Sequence, residues 1–97
     1  MTHEASAVNS LTHQVGELDS PEAAETLREK RTAERVDLGD ELVIEQPYMI
    51  EGETVGMLSV IDTDGLTLAI WTNGKLFCTA LGGKRRQVQT FVQEIPY

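Results

Sequence analysis

The strongest chemical signal in this chain is the run Gly82-Gly83-Lys84-Arg85-Arg86. Two glycines ahead of three cations let backbone N–H groups approach an anion while the side chains neutralise it. With a helix starting at Lys84, the cations crowd the end whose exposed N–H groups already favour negative charge, an arrangement that becomes favourable when an anion docks there. The same run also reads as a solvated basic turn drawn to the chain's own acids. Trp71 and Lys75 form a second pair of interest: an indole on which a base or sugar stacks, with an ammonium nearby to meet the phosphate. A core or a subunit interface suits Trp71 better, because Met57, Ile61 and Cys78 fall on its side of the sheet in the pairing described below, and an interface there would comprise Met57, Ile61, Trp71 and Leu76.

Signals for catalysis are missing from the sequence. It holds no phosphate-binding glycine loop, no nucleophile elbow, and no His-x-x-x-His or Cys-x-x-Cys spacing. His3 and His13 lie in a stretch without periodicity, where nothing rigid would hold a ligand or a general base. Cys78 is the only cysteine and reads as a buried, inert thiol, which suits a reducing compartment. Carboxylates such as Glu41, Glu45, Glu51 and Glu53 sit where they favour solubility and block edge pairing. The expectation is a non-catalytic binding protein with no catalytic residue, no metal and no cofactor.

Sixteen acids against eight Lys and Arg give a formal charge of −8 over 97 residues, which describes one small acidic domain. The charge is uneven. Residues 1–47 carry −7, and residues 71–97 carry +3. A Debye length of about 8 Å at physiological salt leaves that basic quarter able to meet an anion despite a distant acidic segment. No apolar run approaches the roughly 20 residues that a bilayer requires, and the N-terminus has no basic stretch leading into an apolar one. A cytoplasmic protein without membrane contact is expected, and its modest core makes a homo-oligomer the natural expectation.

Positioning these residues falls to the elements around them. Residues 1–18 read as a mobile tail. Ser20-Pro21-Glu22 then starts a helix, with a capping hydroxyl, proline in the first turn and an early acid. Its apolar stripe, Ala23, Ala24 and Leu27, is thin, so a solvated helix ending near Ala33 or Arg35 is predicted, and with the tail it forms an acidic N-terminal unit over 1–37. Residues 38–97 form the second unit, a β-meander plus a C-terminal helix. Its strands are predicted near 41–50, 54–62, 66–72 and 75–81.

A three-residue Thr63-Asp64-Gly65 loop and an Asn73-Gly74 hairpin would pair Leu58 with Ile70 and Trp71 with Leu76. One face then carries Leu58, Val60, Leu66, Leu68, Ile70, Phe77 and Leu81. The other carries Met57, Ile61, Ala69, Trp71, Leu76 and Cys78, also mostly apolar, and needs a cover or a partner. Val88, Phe91, Val92 and Ile95 mark an amphipathic helix from about Lys84 to Glu94 that covers one face. The fold class is α+β: a small twisted antiparallel sheet of four to five strands, or a partial OB-like barrel, closed by the C-terminal helix.

The stretch Leu38-Gly39-Asp40-Glu41-Leu42-Val43-Ile44, the Asp64-Gly65 turn, Asn73-Gly74-Lys75, and Phe77-Cys78-Thr79-Ala80-Leu81-Gly82-Gly83 leading into a Val88/Phe91/Val92 helix resemble a family of small bacteriophage OB-like single-stranded DNA-binding proteins, over roughly 38–95. The resemblance implies nucleic acid near Trp71, Lys75, Thr79 and the Lys84-Arg85-Arg86 turn, in a host-cell cytoplasm. Two other roles fit the sequence: an acidic accessory protein that inhibits a host protein, with its acids mimicking nucleic-acid charge, and a virion or assembly component that self-associates through the second sheet face.

Overall fold

A computed structural model describes residues 12–94 of the chain. It is an α+β fold with seven elements: β1 (Thr12–Glu17), α1 (Pro21–Asp37), β2 (Glu41–Ile50), β3 (Glu53–Thr63), β4 (Leu66–Asn73), β5 (Leu76–Gly82) and α2 (Arg85–Glu94). The strands form one open antiparallel sheet in the order β1-β5-β4-β3-β2. The meander β2 to β5 is the expected one. Among the described residues, no helix is long and apolar enough to cross a membrane.

Of the expected tail, residues 1–11 lie outside the described residues, but Thr12–Glu17 is a strand rather than a tail. It pairs with β5, Gln14 opposite Thr79 and Val15 opposite Cys78. Its polar sequence hid it: as an edge strand it is held by backbone hydrogen bonds to β5, which leave no apolar alternation to read.

All three hairpins close with two-residue loops, and this corrects the expected register. Thr63 pairs with Leu66, leaving Asp64 and Gly65 in the turn with φ of 48° and 83°; two positive φ values are the mark of a type I′ turn, whose twist matches the strands. Dropping Thr63 from the loop moves β3 by one residue against β4. Leu58 therefore pairs with Trp71, not Ile70, and Val60 pairs with Ala69. At the next turn Asn73 stays in the strand opposite Leu76, Gly74 and Lys75 form the loop, and Trp71 pairs with Cys78 instead of Leu76.

A one-residue slip exchanges the faces of a strand, so β3 contributes opposite residues from those expected. One face presents Leu58, Val60, Ala69, Trp71, Cys78 and Ala80, and α2 covers it with Val88 and Val92. Tyr48 joins this core and donates its hydroxyl hydrogen to the Val92 carbonyl, 3.1 Å away. The second face presents Ser59, Ile61, Ile70 and Thr72, and α1 lies on it. Both faces are covered, as the apolar pattern requires, but with β3 exchanged: Ile61 is buried on the α1 side and Trp71 on the α2 side.

The start of α1 follows the prediction, with Ser20 Oγ accepting from the Ala23 N–H at 3.1 Å and Pro21 in the first turn. Its solvation does not. Ala24, Arg28 and Thr32 are buried against the sheet. Arg28 is 3% exposed, and its guanidinium forks onto Glu25, with Nε to Oε1 at 2.9 Å and Nη2 to Oε2 at 2.5 Å. Nη1 reaches Ser59 Oγ at 2.6 Å and Glu45 Oε2 at 3.1 Å. These contacts and Arg35 Nη2 to Thr63 Oγ1 at 2.8 Å cross the boundary expected at residue 37, so α1 is an integral layer. A polar anchor replaces the apolar stripe that the helix lacks, which is why hydrophobic periodicity alone described it as solvated.

Thr72 completes this layer. Its hydroxyl oxygen accepts from the Met57 N–H at 3.1 Å and faces Glu25 Oε1 at 3.4 Å. The Met57 contact falls where β3 leaves the ladder past Leu58. Gly56 comes so close that a Cβ there would strike the Thr72 carbonyl and hydroxyl oxygens.

The anchor predicts an order of destabilisation. Glu25→Ala with Glu45→Ala strands a buried guanidinium and should cost about 3 kcal/mol, near the low end for a broken buried pair because both carboxylates are partly solvated. Arg28→Met removes the charge itself and should cost less, about 1–2 kcal/mol. Urea melts of the two variants check the order.

Candidate functional site

The residues predicted to meet an anion are not all brought together. Trp71 is 0% exposed, so it is not a stacking platform. Its ring lies parallel to His13 at 6.0 Å and tilted to Tyr48 at 6.0 Å, while His13 meets Phe91 edge-on at 4.9 Å. Trp71 thus joins β1, β2 and α2 around the core, and His13 has a structural place there. Among the residues expected to meet a partner through one apolar sheet side, Met57 and Leu76 are half-buried, and Ile61 lies under the opposite helix from Trp71.

Lys75 is exposed in the β4–β5 turn. It sits at the far end of β5 from Lys84, roughly 30 Å away at about 3.3 Å per strand residue. Lys75 and the basic turn therefore cannot grip the same few nucleotides.

The basic turn is exposed from Gly83 to Arg86, while Gly82 is buried at the end of β5. Helix α2 begins at Arg85, one residue later than predicted, and its first turn contains no acid. Arg85 makes an exposed pair, its Nη2 contacting Asp62 Oδ2 at 2.5 Å. Lys84 and Arg86 make no ion pair among the described residues. Two of the three cations are thus available to a ligand.

On the α1 side of the sheet lies a groove of about 320 Å³ lined by Gln14, Arg31, Arg35, Leu68, Ile70, Phe77 and Thr79. Its elements explain its chemistry. Phe77 and Thr79 alternate on β5 toward α1, Gln14 faces Thr79 from β1, and Arg31 and Arg35 stand one helical turn apart on the flank of α1 above them. Arg35 is held by Asp40, with Nε to Oδ2 at 2.9 Å, and by Thr63; Arg31 makes only an exposed pair with Glu34 at 3.2 Å. Such a surface ion pair contributes little and is easily exchanged for a stronger anion.

Thr79 is the one residue of the expected stacking surface that lines this groove. Gln14, Arg31, Arg35 and Phe77 were not among the predicted site residues. The arginines read from sequence as complements to the helix dipole. No sequence signal marked them, because only with Arg28 turned toward the sheet does the 100° step place Arg31 and Arg35 on one flank and Glu25 and Glu29 on the other.

Burial pushes the Cys78 thiol up to about 11, so it carries almost no thiolate at neutral pH. Burial, then the neighbouring Cys78, also raises Tyr48. The Glu25 hydrogen bond leads the effects that raise Arg28 above its ordinary value, against the lowering by burial. Among the described residues no three His, Cys, Asp or Glu side chains converge to hold a metal.

No family model matches the chain, and neither a curated protein nor a solved structure matches it significantly.

The raised thiol predicts the alkaline limb of stability. The folded state keeps the Cys78 proton more tightly than the unfolded chain, so its contribution is complete below about pH 9 and is lost as pH climbs toward 11. At about 1.4 kcal/mol per pH step the loss approaches 3 kcal/mol. Urea midpoints measured from pH 8 to 10.5 should fall, and Cys78→Ala should flatten the fall, with a residue of slope left by Tyr48.

Proposed function

We propose that this protein is a non-catalytic binding protein that takes single-stranded nucleic acid along the groove between α1 and β5 and onto the basic turn beyond it. One observation carries the reading: Arg31 and Arg35 overhang a floor containing Phe77 and Thr79. In the sheet, Gly82, which leads into Lys84 and Arg86, aligns through Thr67 with Asp62, next to the Thr63 that holds Arg35. Cations, an aromatic surface and hydroxyl or amide groups along one track are what a single strand requires.

The track would be short, with Arg31, Lys84 and Arg86 free to neutralise phosphates and Arg35 held in place by its own partners. An OB-like ancestry and a bacteriophage source agree with this reading through the sequence resemblance and belong to the same proposal. Relative to the sequence expectation, the ligand moves from the Trp71 surface to the opposite side of the sheet. Thr79 and the 82–86 turn remain in the proposed site, while Lys75, which does not line the groove and lies at the opposite end of β5 from the turn, is left out of it.

Fluorescence anisotropy with labelled single-stranded DNA, RNA and duplex DNA across a salt series tests the proposal. A single-strand signal with a log–log salt slope of about −2 corresponds to three phosphates at roughly 0.7 each. Arg31→Glu with Lys84→Glu and Arg86→Glu should abolish it, whereas Lys75→Glu should change it less than twofold. Absence of binding at low salt, or loss with Lys75→Glu alone, contradicts the proposal.

A further inference from the structure

On the other flank of α1 the chemistry reverses. A groove of about 610 Å³ runs between α1 and β2, lined by carboxylates from Glu25, Glu29, Asp37 and Glu45 and by apolar side chains from Val36, Leu42 and Met57 among others. Val36 is 44% exposed and Leu42 36%. We propose that this groove docks a basic, partly apolar peptide segment of a partner protein.

Three observations combine. The carboxylates are not used up internally: Glu25 and Glu45 share the single charge of Arg28, while Glu29 and Asp37 make no ion pair among the described residues. The groove therefore keeps net negative charge facing a ligand, and a cationic segment complements it. The walls between the acids are aliphatic, so a wholly polar polycation would leave Val36, Leu42 and Met57 in water, whereas alternate apolar residues would cover them.

The third observation is Thr32, 94% buried at the base of the same groove, whose Oγ1 has no hydrogen-bond partner. A buried hydroxyl without a partner is uncommon in a settled fold. A docked segment that parts the side chains covering it would supply the missing bond. The edge of β2 does not offer the simpler route of strand addition, because Pro47 and two register irregularities interrupt its ladder.

This surface is separate from the proposed nucleic-acid track, because Glu29 and Arg31 lie on opposite flanks of one helix. The experiment uses the full chain and three labelled ten-residue peptides: five lysines with five leucines, five lysines with five serines, and five glutamates with five leucines. The lysine–leucine peptide should bind at least tenfold more tightly than the other two. Glu29→Gln with Asp37→Asn should weaken it at least fivefold while leaving single-strand binding within a factor of two. Thr32→Val, which fills the same space without the hydroxyl, should weaken the peptide about threefold with an unchanged or higher melting temperature.

Equal binding of the lysine–serine peptide would reduce the interaction to bulk charge and overturn the proposal. Unchanged affinity in either variant would do the same. A dimer detected by sedimentation and dissolved by Glu29→Gln with Asp37→Asn would assign the groove to a second copy of the chain instead.

Discussion

One guanidinium holds the layers of this protein in relation to each other. Helix α1 has too thin an apolar stripe to dock by burial alone, with only Ala24 fully buried among its small apolar residues. What docks it is Arg28, pointed into the sheet, paired to Glu25 on its own helix and to Glu45 on the edge strand, and hydrogen-bonded to Ser59 on β3. Burying a charge in this way is tolerable only because its donors find fixed acceptors, and that requirement sets the rotation of the helix about its axis. With Arg28 facing the sheet, helical geometry leaves no choice about the flanks: Arg31 and Arg35 turn toward β5, and Glu29 toward β2. The two oppositely charged grooves are consequences of that single orientation.

A second constraint sits at one end of β3. Neighbouring residues on a strand point to opposite faces, and here Asp62 holds Arg85 of α2 while Thr63 holds Arg35 of α1. Both helices are thus tethered to consecutive residues of one strand. This arrangement uses Arg85 and Arg35 as structural cations and leaves Arg31, Lys84 and Arg86 as the groups able to meet a ligand. The net charge of the protein is −8, and a Debye length of about 8 Å at physiological salt limits how far its unpaired acids act on these cations.

The parts of the fold legible in the sequence are those written in local chemistry. Ser20-Pro21-Glu22 announced the start of α1 because capping acts within one turn, and the Val88/Phe91/Val92 spacing announced α2 because its docking is apolar. The strand order of the meander followed from the glycine turns. What the sequence hid was set by long-range polar contacts. Thr63 could stand in the loop or in the strand, and only pairing with Leu66 decides it, yet that one residue exchanges the faces of β3. Strand β1 exists because β5 offers an edge to pair with. The docking of α1 rests on Ser59 and Glu45, 31 and 17 residues away from Arg28, which no helical periodicity reports. The site was partly legible for the same reason: the basic turn is contiguous and Thr79 fell within the resemblance, whereas the Arg31/Arg35 flank acquires meaning only once α1 is docked.

The proposed path of a single strand is the α1–β5 flank and the 82–86 turn. Amide chemical shifts of the isotope-labelled chain, recorded during titration with a short single-stranded oligonucleotide, test that most directly. Shifts are expected only at Gln14, Arg31, Phe77, Thr79 and residues 83–86, with the Trp71 indole and the Lys75 turn unmoved. Shifts centred on Lys75 and Trp71, or none at any residue at low salt, would contradict it.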